Sequence, residues 1–304
     1  MTVISLFHKS LFLLSLYAVM VCTASLRADV VFKSLNPTQT VKAVAVQGGL
    51  LIGKTEAGNK VWLDKQSVRV ANDGTFIIGF GRDASSATLH IEQKNGQQHQ
   101  QQINIQSREY KIDRIDGLPP AKVNPKGEAV LKRIREEGAL TKKARSQDHQ
   151  RQDFKSGFIW PAKGRISGVY GSQRILNGDP KWPHFGVDIA APTGSAVMAP
   201  AAGIVTMTHS DMYYSGGTMI IDHGHGLSST FLHLSKILVE EGATVKQGER
   251  VAKIGATGRV TGPHLDWRIN WFKVRLDPQP LVDGLPMTSW KSDSGLSNKE
   301  KNDG

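Results

Sequence analysis

The chain has 304 residues, with 38 Lys and Arg against 27 Asp and Glu, a formal charge of +11 and one cysteine. That length admits two domains with separate cores, and a lone cysteine excludes a disulfide framework. The basic excess suits a polyanionic partner, yet no helix-turn-helix, RRM or zinc-finger pattern is present, so nucleic acid is not the expected one.

Residues 1–28 read as a signal peptide. Lys9 precedes the apolar run Leu11 to Val21, and the small residues Thr23, Ala24 and Ser25 follow it. The run is short for a membrane span, and the bulky Val21 before Cys22 disfavours lipidation. An exported protein is expected, in a periplasm or outside the cell. There, anionic wall polymers and phospholipid head groups are the nearest polyanions.

From 29 to 119, short β-type runs alternate with turns, including KVWLD, VRVANDGTFIIGFG, ATLHIEQKNG and YKIDRI. Asn72-Asp73-Gly74 and Asn95-Gly96 are hairpin signals. The reading is a small antiparallel, sandwich-like β domain, with His90 and His99 on its surface. Pro119 and Pro120 close it. Residues 120–156 form a charged linker in which Leu131, Ile134 and Leu140 recur at helical spacing. Ten Lys or Arg against five Asp or Glu between Pro120 and Lys155 predict a solvated helix, with a membrane or wall contact as the sharper reading.

Residues 157–290 carry the runs GVDIAA, AVMAPAAGIVTMTH, GTMIIDHG, LSSTFLHLS, GERVAKIGATG and LDWRINWF. Glycines are dense between them and no long amphipathic helix interrupts them, so an antiparallel β domain with a groove is expected. The fold class is thus mainly β throughout, apart from the linker helix. The polar tail 291–304 is expected to be disordered.

Two stretches carry chemistry. In PHFGVDIAA, period two sets His184, Gly186 and Asp188 on one face and Phe185, Val187 and Ile189 on the other. In TGPHLDWRINW it sets His264, Asp266, Arg268 and Asn270 opposite Leu265, Trp267, Ile269 and Trp271. Imidazole and carboxylate are ligands for a borderline-soft divalent cation such as zinc. If the polar faces of these strands meet, they build a metal site. His233 lies between the two stretches, in FLHLS.

These elements, with APTG at Ala191 to Gly194, APAAGIV, IDHGHG and GATVKQGERVAKIGATG, resemble the lysostaphin-like (LytM-type) zinc metallopeptidases. That family cuts peptide cross-links in bacterial peptidoglycan. GFGRD and RIDGLPP more faintly resemble the β domain of Gram-negative envelope members. The resemblance implies that His184 and Asp188 are ligands for one Zn2+ per chain and that His233 and His264 are the catalytic imidazoles. The family's closing motif is H-x-H, and its second His is the third ligand. Here that position is Asp266, an oxygen ligand that also suits a harder ion such as Mn2+. The implied substrate is peptidoglycan, cut in a Gram-negative envelope between D-alanine and meso-diaminopimelate.

Tyr213 and Tyr214 are read as turn or packing residues near the groove, His223 and His225 as turn histidines, and His209 as surface. Two alternatives stand beside the hydrolase. A degenerate LytM-type domain that binds and regulates cell-wall amidases would tolerate the altered ligand. A biotinyl- or lipoyl-type carrier fits the Gly-punctuated strands but needs a modified lysine in an M-K-M type turn, which is absent, and it leaves the His and Asp set without a role.

Overall fold

The structure, a computed structural model, describes residues 31–33, 44–116 and 127–282. The expected signal peptide, the Pro119–Pro120 boundary and the polar tail lie outside the described residues. The fold is mainly β. Its N-terminal strands are β1 (Val31–Lys33), β2 (Leu50–Lys54), β3 (Lys60–Leu63), β4 (Gln66–Val68), β5 (Thr75–Gly79), β6 (Ser86–Glu92), β7 (Gln98–Asn104) and β8 (Ile112–Ile115). The first seven form one sheet in the order β1-β2-β5 and a second in the order β4-β3-β6-β7. Asn95 and Gly96 occupy the β6–β7 turn, where Gly96 takes φ 82°, a left-handed conformation that suits glycine.

Helix α1 (Glu128–Arg145) follows. Glu128 in its first turn and Lys142, Lys143 and Arg145 in its last complement the helix dipole. The helix does not bury the Leu131–Ile134–Leu140 stripe that its spacing suggests: Leu131 is 43% and Leu140 47% exposed. It docks instead through Ala144, which packs with Met207, Met212 and Ile220. A small residue lets the helix backbone come close to the sheet, and that decides the docking face. Among the described residues no helix is long and apolar enough to cross a membrane.

The remaining strands are β9 (Arg165–Gly168), β10 (Gln173–Leu176), β11 (Asp179–Pro180), β12 (Val187–Ala190), β13 (Ala196–Met198), β14 (Gly203–Met212), β15 (Gly216–Gly224), β16 (Leu227–Ile237), β17 (Thr244–Val245), β18 (Arg250–Ile254), β19 (His264–Trp271) and β20 (Val274–Leu276). The large sheet runs β17-β14-β15-β16-β19-β12-β9, with β18 paired to β13 and β16, and β20 paired to β19. Pairing between these strands is antiparallel, but β10 pairs in parallel with β8 and so ties the first part of the chain to the second. Val187, Ile189, Phe231, Leu265, Trp267 and Ile269 fill the apolar side of the sheet at 0% exposure. Burying each such side chain contributes about 1.5–3 kcal/mol. Phe76, Ile77, Ile78 and Leu89 join the same contiguous core.

Candidate metal and catalytic site

Strands β12 and β19 are direct neighbours, so the polar faces expected to meet do so side by side. Asp188 pairs with Asp266 in the ladder, and Ala190 pairs with His264. His184 precedes β12 rather than lying within it. Its position is fixed by its backbone N–H, which donates to the Ser172 carbonyl at 2.7 Å. His233 comes from β16, where Leu232 pairs with Asp266. It takes φ 64°, a conformation that a side-chain-bearing residue rarely adopts and that is often found at functional sites.

One cluster results. His184 Nε2 lies 3.0 Å from Asp188 Oδ1 and 3.5 Å from Asp266 Oδ2, and His264 Nε2 lies 3.8 Å from Asp188 Oδ1. The ligand atoms of His184, Asp188 and Asp266 all fall within 4.8 Å of one another. Ligand bonds of about 2.0–2.2 Å at tetrahedral angles separate neighbouring donors by roughly 3.3–3.6 Å, so the spacing fits a small divalent cation. A second observation supports the fit. His184 Nε2 and Asp188 Oδ1 are both buried and make no aligned hydrogen bond, which is costly for polar atoms unless something else satisfies them.

The imidazoles are oriented by backbone carbonyls. Nδ1 of His184 faces the Val169 carbonyl at 3.3 Å, Nδ1 of His233 the Thr257 carbonyl at 2.9 Å, and Nδ1 of His264 the Gly262 carbonyl at 2.9 Å. A carbonyl only accepts, so each Nδ1 carries the hydrogen, and each Nε2 is left as the ligand or base nitrogen. The His233 and His264 rings lie 4.8 Å apart. Burial opposes charge on His184, yet the Asp188 and Asp266 carboxylates outweigh it and hold its pKa at about 10. Metal uptake there must therefore displace a proton. Burial pushes His233 below the ordinary histidine range, so that ring is neutral at pH 7.

Arg268, which the sequence places on the same face but leaves without a role, grips Asp266. Its Nε donates to Oδ1 at 2.9 Å and its Nη2 to Oδ2 at 2.5 Å. Burial would raise the Asp266 pKa, but Arg268 and then His184 hold it well below the usual carboxylate range. Two glycines make the room: a Cβ on Gly186 would stand 2.5 Å from Asp266 Oδ1 and 2.6 Å from Arg268 Cγ, and one on Gly168 would collide with the Asp188 carboxylate. The pairing was foreshadowed by a carboxylate and a guanidinium two residues apart on one strand face. The orienting carbonyls of Val169, Thr257 and Gly262 leave no signal in side-chain chemistry.

The other histidines lie elsewhere. His223 is buried in β15, its ring nitrogens engaged by the Ala202 carbonyl and Ser229 Oγ. His225 is buried at the β15–β16 turn with neither ring nitrogen hydrogen-bonded. His90, His99 and His209 are half-buried rather than exposed. Tyr213 lies under the Arg133 guanidinium and Tyr214 under that of Arg259.

Residues 182–278 match the family described as "Peptidase family M23". The chain is 37% identical over 116 residues to the peptidoglycan DD-endopeptidase ShyA of Vibrio cholerae, a match covering 38% of this chain and 24% of that protein. It is 38% identical over 98 residues to the DD-carboxypeptidase/endopeptidase Mpg of Neisseria meningitidis, covering 32% of this chain and 21% of the relative. The chain thus spans about a quarter or less of the length of these relatives. A crystal structure described as a peptidase M23 from Pseudomonas aeruginosa superposes with a TM-score of 0.63 at 28% identity, covering 79% of this chain and 95% of that one.

Proposed function

We propose that this chain, which carries a peptidase family M23 domain of the LytM type, is a metal-dependent endopeptidase that cuts peptide cross-links of peptidoglycan outside the cytoplasm. The observation that carries the reading is the convergence of two buried ligand atoms without an aligned hydrogen bond, His184 Nε2 and Asp188 Oδ1, beside Asp266. The names of the relatives supply peptidoglycan as the substrate class. His184, Asp188 and Asp266 would hold one zinc ion, or manganese given two oxygen donors. When bound, such an ion polarises a scissile carbonyl and activates a water.

The protein's own groups do the rest. His233 and His264 present Nε2 atoms from adjacent rings; one accepts the proton of the attacking water at Nε2 and, once cationic, passes that proton to the leaving amine. Asp188 and Asp266 neutralise a divalent charge that two imidazoles would leave exposed, which makes bound water less acidic. Arg268 counters this by taking up part of the Asp266 charge.

That same pair favours a second reading. Without an ion, His184 and Arg268 as cations balance Asp188 and Asp266 as anions. A set already neutral supports a metal-free LytM-type domain that binds and regulates cell-wall amidases.

Elemental analysis of the purified protein, with His184→Ala and Asp266→Ala beside it, separates the two. About one zinc or manganese per chain, lost in both variants, with digestion of purified peptidoglycan, upholds the hydrolase. Absence of metal after incubation with zinc, and no digestion, overturns it in favour of the binding domain.

A further inference from the structure

The groove floor does not end at Asp266. Further along, Thr230 of β16 and Arg268 and Asn270 of β19 floor a cavity of about 480 Å³, and Arg145 of α1 closes it from above. Five cationic side chains line it, Lys142, Arg145, Arg268, Lys273 and Arg275, and no carboxylate does. Among the described residues, only Arg268 of the five has a carboxylate partner. The chain's acidic residues elsewhere pair readily with Lys and Arg, so the imbalance here is local.

Arg145 is the group least accounted for by the fold. Of its five N–H donors, the guanidinium uses its Nε and Nη2 on one hydroxyl, Thr230 Oγ1, at 3.3 and 3.0 Å. Burial, then the charges of Arg275 and Arg268, push its pKa down to about 9. Arg275 is stacked over the Phe185 ring at 4.6 Å, which holds its planar fork in place without consuming its donors. A packing role for these side chains would be met by neutral ones. Three guanidiniums held together against mutual repulsion are a destabilising arrangement that an anion would relieve.

We propose that this cavity is an oxyanion-binding site, in which Arg145 and Arg275 take a carboxylate or phosphate group and Arg268 is shared between that anion and Asp266. Arginine forks match such planar or tetrahedral anions through paired charge-assisted hydrogen bonds. Because the cavity and the candidate metal centre share one sheet face, the carboxylate of a peptidoglycan stem peptide is the favoured source. That assignment rests on the proposed function; the site itself does not.

Calorimetric titration of the full chain, treated with a chelator, with inorganic phosphate and separately with a soluble cross-linked muropeptide tests this. Saturable binding is expected, weakened about tenfold or more in Arg145→Gln and Arg275→Gln, since each removes charge-assisted bonds, and unchanged in Lys132→Gln on the exposed side of α1. The melting temperature of Arg145→Gln should hold or rise, because an unpaired cation has been removed. Muropeptide binding that needs Arg145 assigns the anion to the substrate; phosphate binding alone assigns it to a separate phosphate ligand. No saturable binding of either probe, equal weakening in Lys132→Gln, or a lowered melting temperature accompanying the lost binding overturns the site. Because the protein is metal-free throughout, a failed hydrolase assay leaves these outcomes readable.

Discussion

Two neighbouring regions of the β19 polar face differ in the sign of their charge. Around His264 and Asp266 the strand looks across to Asp188 and His184, where two carboxylates face imidazoles. At Arg268 and Asn270 it looks toward α1 and the β19–β20 turn, where cations gather without acids. Arg268 stands at the seam, its head on Asp266 and its stem against Gly186. A strand alternates faces but imposes no charge along a face, so the element packed opposite decides it. Strand β12 adds Asp188 to the acidic pole, and α1 adds Lys142 and Arg145 to the basic one.

The most severe way to break the contrast is Asp188→Asn at the acidic pole. Metal affinity should fall by at least about a hundredfold, and peptidoglycan hydrolysis should drop to background in a digestion assay. Arg268→Ala removes the seam itself. Leaving Asp266 buried without its guanidinium should destabilise the metal-free protein by about 3 kcal/mol, read by denaturant unfolding. Added zinc should raise the melting temperature of this variant more than that of the wild type, because the guanidinium no longer competes for the Asp266 oxygens. An equal zinc effect would mean that Arg268 does not compete for Asp266.

Gly186→Ala tests the same seam more gently. The added methyl meets Asp266 and Arg268, and such overpacking costs about 1–3 kcal/mol. The smallest effect sharpens the comparison from outside both poles. Burial lowers the pKa of His223 and of His225 to about 4. Between the unfolded value of about 6.5 and that lower value, the unfolded chain holds protons that the folded one lacks, so stability falls as pH drops through this window. His225→Leu should flatten the slope by up to about 1.4 kcal/mol per pH unit, seen as a smaller shift of melting temperature between neutral and mildly acidic buffer.

Much of the fold was legible. The period-two runs became β12 and β19 in antiparallel register, and the runs around GTMIIDHG and LSSTFLHLS became β15 and β16. Less legible were short strands such as β9 and β20, whose few residues acquire strand geometry from the neighbours they pair with. The docking face of α1 was also hidden, because Leu131 and Leu140 offer more apolar surface than Ala144 but the sheet meets the helix at Ala144.

From the residues alone came the alternation that puts Asp188, and His264 with Asp266, on polar strand faces, together with the donor types that suit a divalent cation; His184 lies ahead of β12, outside that alternation. Tertiary structure alone decided that Arg268 closes on Asp266, that the carbonyls of Val169, Thr257 and Gly262 set the imidazole tautomers, and that a helix remote in sequence roofs a cationic cavity. The reason is physical: alternation along a strand assigns a side chain to a face, while the partner it meets there is set by packing between segments that the order of residues does not connect.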